Sequence, residues 1–89
     1  MRLMKVMTVG VRRIGCSDWD LSISIINRLF EDSEYFIVFQ KVDGKTIITD
    51  GNDKHLVTVD KPLFSETVWA VYGDDGKVQY YTFMLPDEH

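Results

Sequence analysis

The chain is poor in the residues from which most covalent and metal chemistry is built. It has one cysteine, Cys16, so it can form no intramolecular disulfide and no zinc site of several thiolates. That points to a reducing compartment. Of its two histidines, His89 is the last residue, leaving His55 as the one internal imidazole. Basic excess is also missing: the net charge is −4, which gives no electrostatic footprint for a nucleic-acid backbone and suits a basic partner instead. No apolar run approaches the roughly 20 residues needed to span a bilayer. Met1-Arg2-Leu3-Met4-Lys5 resembles the charged start of a secretion signal, but the apolar run Val6 to Val11 is short and stops at Arg12-Arg13. Ile14-Gly15-Cys16 has the look of a lipoprotein cleavage site, with Arg13 where an apolar residue belongs. A soluble, cytoplasmic protein is the expectation.

What the chain does have is hydrophobic content of 45% against 27% charged residues over 89 residues, the balance of one small globular domain with a modest core. Two strand-turn-strand segments dominate its second half. Phe36 to Val42 turns at Asp43-Gly44 into Lys45 to Thr49; Val68 to Tyr72 turns through Gly73-Asp74-Asp75-Gly76 into Lys77 to Phe83. Asp-Gly between β-branched and aromatic runs is a strong hairpin signal, because the tight turn needs residues that tolerate positive φ.

Leu3 to Val11 alternates as a strand, and Gly10 and Gly15 punctuate the loop after it. Ser17-Asp18-Trp19-Asp20 reads as a helix start, with Ser17 as the cap. Between Trp19 and Phe30 the period is double: Leu21, Ile23 and Ile25 alternate like a strand, while Trp19, Ile23, Ile26 and Phe30 recur at helical spacing. The capping signal decides for a helix. Asp50-Gly51-Asn52-Asp53 is a turn, His55 to Val59 a short strand ended by Lys61-Pro62, and Pro86 to His89 a solvated tail. The expected fold is α+β: one helix packed on a mainly antiparallel sheet of five or six strands, in the order β-α-β-β-β-β-β.

No catalytic motif survives inspection. Gly10-Val11-Arg12-Arg13-Ile14-Gly15-Cys16-Ser17 has the glycine spacing and final serine of a phosphate-binding loop, with Cys16 where the lysine belongs and Asp18 and Asp20 beside any bound phosphate. A reduced form keeps Arg12, Arg13, Gly15 and Ser17 as an anion contact. The plain alternative is an ordinary connection whose arginines are solvated or paired with Asp18 and Asp20. Cys16 near a helix N-terminus invites a Cys/His reading with His55, yet nothing in the sequence brings them together. The acidic turns match no calcium loop. Neither metal nor cofactor is expected.

The aromatic residues carry more. By strand parity Trp69 and Tyr72 lie on opposite faces, as do Tyr80 and Tyr81, and Phe36 and Phe39. One helix can cover one sheet face, so aromatic surface should remain on the other. The leading expectation is a non-enzymatic module that binds another protein, or forms a homodimer, through that face. Trp69, Tyr72, Tyr80, Tyr81 and Phe83 are its expected contacts. Size and charge suit an inhibitor, an immunity protein or a phage-encoded antagonist. The alternative is a small-ligand or anion-binding domain using Gly10 to Ser17.

Overall fold

A computed structural model describes residues 3–89; Met1 and Arg2, on which the secretion-signal reading partly falls, lie outside them. The elements run β1 (Leu3–Met7), α1 (Val9–Ile14), α2 (Trp19–Glu31), β2 (Phe36–Val42), β3 (Lys45–Thr49), β4 (His55–Val59), β5 (Val68–Asp74) and β6 (Gln79–Met84), closed by a 3₁₀ turn at Pro86–Glu88. The six strands form one sheet in the order β1-β6-β5-β2-β3-β4. β1 runs parallel to β6 and every other pairing is antiparallel. This is the expected α+β fold, with one main helix on a mostly antiparallel sheet.

The first hairpin turns at Asp43-Gly44 as expected; in the second, β5 runs on through Gly73 and Asp74 and the turn falls on Asp75 to Val78, two residues later than expected. Asp43 and Gly44 take φ of 51° and 77°, the two positive values that a tight turn matched to strand twist requires. In the second hairpin the Asp75 carboxylate accepts the N–H groups of Lys77 and Val78 at 2.9 and 2.8 Å. Those two bonds, Val78 first, hold its pKa below the ordinary aspartate value.

The double period between Trp19 and Phe30 resolves as a helix because Ser22, Ile25, Ile26 and Leu29 form one buried stripe. Asp18 caps it, accepting the Leu21 N–H at 3.0 Å. Ser17, the expected cap, instead donates its hydroxyl to the Pro62 carbonyl at 2.7 Å and its backbone N–H to Leu63. The other revision lies just upstream. Expected as strand and loop, Val9 to Ile14 is a short helix, α1, capped by Thr8, whose hydroxyl accepts the Val11 N–H. Val11 is fully buried and anchors it to the core.

The core lies between α2 and one sheet face. Ile25, Ile26 and Leu29 meet Ile37, Phe39, Ile48, Val68, Ala70, Tyr81 and Phe83. Leu63 and Phe64, from the segment between β4 and β5, extend this cover; Trp19 stands edge-on to Phe64 and Phe83, with centroids 5.6 and 5.3 Å away. Thr46 pins the segment: its buried hydroxyl donates to the Lys61 carbonyl at 2.9 Å and accepts the Leu63 N–H at 2.8 Å. Replacing Thr46 by valine keeps the volume and adds apolar surface, yet leaves the buried Leu63 N–H without an acceptor. Thr46→Val should therefore destabilise the fold by about 1–3 kcal/mol in chemical denaturation, and an unchanged midpoint would contradict this role for Thr46.

Candidate functional site

The two regions singled out by sequence fare differently. In the Gly10–Ser17 segment the donors that a phosphate would need are already engaged. Gly15 N–H caps α1 by bonding to the Val11 carbonyl, and Ser17 is held by Pro62 and Leu63. Arg12 and Arg13 are exposed on α1. Asp18 pairs with Lys61 at 2.9 Å and not with either arginine; the Lys61 contact and the Leu21 N–H together depress its pKa. A groove of about 420 Å³ does pass Gly15, Cys16 and Ser17 beside Lys41 and Phe64, but the donors of Gly15 and Ser17 do not converge in it.

An anion does sit at the N-terminus of α1, and the chain itself supplies it. The Glu88 carboxylate accepts the Thr8 hydroxyl at 2.6 Å, the Gly10 N–H at 3.1 Å and the Leu85 N–H at 2.8 Å. These bonds, Thr8 first, lower its pKa. The tail expected to be merely solvated is exposed, but Glu88 ties it down. Gly10 permits this approach, since a Cβ there would stand 2.6 Å from Glu88 Oε2.

Cys16 and His55 engage different partners. Cys16 Sγ lies 3.2 Å from Ser22 Oγ, and His55 Nε2 lies 2.6 Å from Thr58 Oγ1 at the far edge strand. Among the described residues no group of three or more His, Cys, Asp or Glu is placed to hold a metal ion, and no helix is long and apolar enough to cross a membrane.

The expected contact residues divide between the two faces of the sheet. Tyr81 and Phe83 are 0% and 1% exposed beneath α2, so they belong to the core and not to a contact surface. Burial raises the Tyr81 pKa well above the ordinary tyrosine value, and its hydroxyl donates to the Glu34 carbonyl. Tyr72 lies directly across from Tyr81 and thus on the same, helix-facing side. There it packs between Phe30 and Tyr35, with centroids 6.0 and 4.6 Å away. Trp69 and Tyr80 are on the opposite face, which no helix covers.

That open face can be read as rows across neighbouring strands. Met4, Tyr80 and Gly73 form one; Val6, Thr82, Val71 and Phe36 the next; Met84, Trp69, Val38 and Thr49 the third. Met4, Val6 and Phe36 are 40%, 39% and 37% exposed. Two rings approach glycines closely: a Cβ at Gly73 would be 2.5 Å from the Tyr80 ring, and one at Gly51 would be 2.7 Å from Phe36. Trp69 stands edge-on to Phe36 at 5.1 Å, and the His89 ring also lies against it at 5.5 Å. Two hollows of about 360 Å³ each open here, one with Phe36, Trp69, Gln40 and Asp53, the other with Met4, Val6, Tyr80 and Asp75. Sequence parity separated Trp69 from Tyr72 but did not say which parity the helix would take. Phe36, Val71 and Met84 were missed for that reason.

No family model matches this chain, and neither a curated protein nor a solved structure matches it.

The Glu88 clamp makes a test in two parts. Its pKa is lowered on folding, so its contribution is present above the ordinary glutamate range and lost as pH falls through the depressed value. The stability gap between the native chain and Glu88→Gln should be open at neutral pH and close in acid, as read by thermal melts across pH. Gly10→Ala would ordinarily add up to about 1 kcal/mol of helix propensity. Here the gain should appear only when Glu88 is also replaced by alanine, and a gain in the native background would refute the close approach.

Proposed function

We propose that this chain is a non-enzymatic protein-binding module that docks another protein on the open face of its sheet. One observation carries the reading: a six-stranded sheet is covered by α2 on one side, while Trp69, Tyr80, Phe36, Val71 and Met84 line the other. Phe36 is exposed, Trp69, Tyr80, Val71 and Met84 are half-buried, and Val38 between them is buried. Apolar surface of this kind, rimmed by polar groups, marks interaction sites, where large aromatics dominate binding energy. Asp53 and Asp75 border the two hollows and the chain carries −4 overall. Both favour a partner patch that is apolar at its centre and basic at its rim. The small acidic frame suits an inhibitor, an immunity protein or a phage-encoded antagonist of a host factor, by analogy of size and charge. A cytoplasmic location belongs to the same reading, supported by the free thiol of Cys16.

Affinity capture with the native chain, followed by titration of the captured protein, tests it. Trp69→Ala should weaken binding by more than about 1 kcal/mol, and a lysine at Val71 should abolish it, while alanine at both Arg12 and Arg13 leaves it unchanged. Affinity indifferent to Trp69 and Val71 would sink the proposal. A melting temperature raised by phosphate, and no longer raised once both arginines are removed, would transfer the function to the Gly10–Ser17 segment.

A further inference from the structure

The sheet has two edges, and they are not alike. β4 is interrupted opposite β3 by an irregularity between Ile48 and Thr49, and it is flanked by Lys54, Asp60 and Lys61. Bulges and charges of this kind protect an edge from further pairing. β1 has neither a bulge in its register with β6 nor a proline, and a single lysine. Its exposed side chains are apolar on both faces: Met4 and Val6 on the open face, and Met7, 44% exposed, on the helix side.

The backbone of β1 shows what the edge lacks. Thr8 N–H donates to the Phe83 carbonyl at 2.9 Å. Alternation along the strand therefore turns the polar groups of Met4 and Val6 toward β6 and those of Leu3, Lys5 and Met7 outward. Among the described residues no element lies outside β1, and the contact made on that side is the Lys5 ammonium folding back to the Leu3 carbonyl at 3.5 Å. Hollows flank the edge on both sides. The one on the helix side, about 110 Å³, is lined by Trp19, Ile23, Phe83 and Met7; the other lies beside Met4, Val6 and Tyr80. An occupant must be an extended backbone with apolar side chains on both of its faces. β1 itself is such a segment.

We propose that β1 pairs antiparallel with β1 of a second copy of this chain, about a two-fold axis through Val6. Because the outward residues are odd-numbered, an axis through Lys5 would set two ammonium groups directly opposite each other, which is destabilising. The axis through Val6 places Lys5 opposite Met7 of the second copy, each such pair exchanging both backbone hydrogen bonds. The incoming Met7 then lies beside the Trp19–Ile23 hollow, and Val6 faces its own equivalent on the open face. The sheet runs unbroken through both copies. One short strand buries less than the roughly 800 Å² per partner of a standard stable interface, so dimer formation depends on concentration. Salt strengthens it by screening the −4 carried by each copy. The pairing occupies the Met4 and Val6 margin of the open face and leaves Phe36 and Trp69 untouched.

Sedimentation over a concentration series, at low and moderate salt, should show the mass rise from 10.3 kDa toward twice that value. Lys5→Pro removes an N–H that the monomer's sheet does not use, so the circular dichroism spectrum should persist while dimerisation weakens about tenfold or more. Met7→Lys, which places a lysine opposite Lys5 of the second copy, should weaken it as well and serves if the proline variant fails to fold. The register has its own readout. Residues at the axis form a close pair with Cα atoms about 4.5 Å apart, within reach of a disulfide. Val6→Cys combined with Cys16→Ser should therefore cross-link to a dimer under mild oxidation. A monomer at every concentration overturns the proposal, including the case in which Lys5→Pro impairs binding of a foreign strand. So does a dimer that survives both β1 variants, or the absence of a Val6→Cys cross-link in a dimer that those variants disrupt.

Discussion

One helix cannot cover six strands. At thirteen residues α2 is about 20 Å long and roughly 10 Å across with its side chains, whereas six strands spaced at about 4.8 Å span well over 20 Å. The helix therefore covers only part of one face, and Leu63 and Phe64 extend the cover toward β2 and β3. This explains why the Thr46 hydroxyl, which locks that segment to β3, is buried and fully engaged. α1 adds a further piece of core: its Val11 is fully buried with the α2 and sheet residues. The second face has only partial cover, from the C-terminal tail beside Trp69 and the turn at Gly51 beside Phe36, and its apolar rows follow from the shortage of helix.

The chain's negative charge has a local logic as well. Both helices begin on a carboxylate from the chain itself: Asp18 on α2 and Glu88 on α1. Free N–H groups at a helix start attract anions, and here each helix start has an internal one. The similarity of Gly10–Ser17 to a phosphate-binding loop reflects a shared need for close backbone approach. Gly10 meets that need for Glu88. An external anion would have to displace a side chain tethered to the same molecule, at high effective concentration.

Legibility in the sequence follows the range of the interaction. The Asp-Gly turns, the alternation of β2, β3, β5 and β6 and the helical stripe of α2 arise from neighbours a few residues apart, and local pattern is enough to find them. The cap of α2 was misplaced by one position because Ser17 and Asp18 are both competent; the choice depends on Pro62, far along the chain, which takes the Ser17 hydroxyl. Thr8 and Glu88 are 80 residues apart, so no local pattern could reveal that α1 has an anchored start. Val6 to Val11 consequently reads as more strand. The candidate site was half legible for the same kind of reason. Parity states that Tyr80 and Tyr81 part company, but the face that meets the helix is settled by packing volume. Tyr81 fits under α2 because its hydroxyl reaches the Glu34 carbonyl just past the end of that helix.

An apolar face with little cover is ordinarily a liability, and the way this one is built bears on its use. Tyr80 and Phe36 pack closely against Gly73 and Gly51, in space that a larger residue would have taken. Trp69 is held edge-on by Phe36. Rings fixed in this way have little rotamer freedom left to lose when something binds over them, so more of the hydrophobic gain remains as affinity. A surface whose aromatics merely failed to find a core would leave them mobile. The same argument distinguishes the face from the edge: the face presents fixed side chains and calls for shape, whereas β1 presents backbone and calls for a strand. The two kinds of contact adjoin on one sheet and meet at Met4, Val6 and Tyr80, while Trp69 and Phe36 lie in a separate hollow away from that edge.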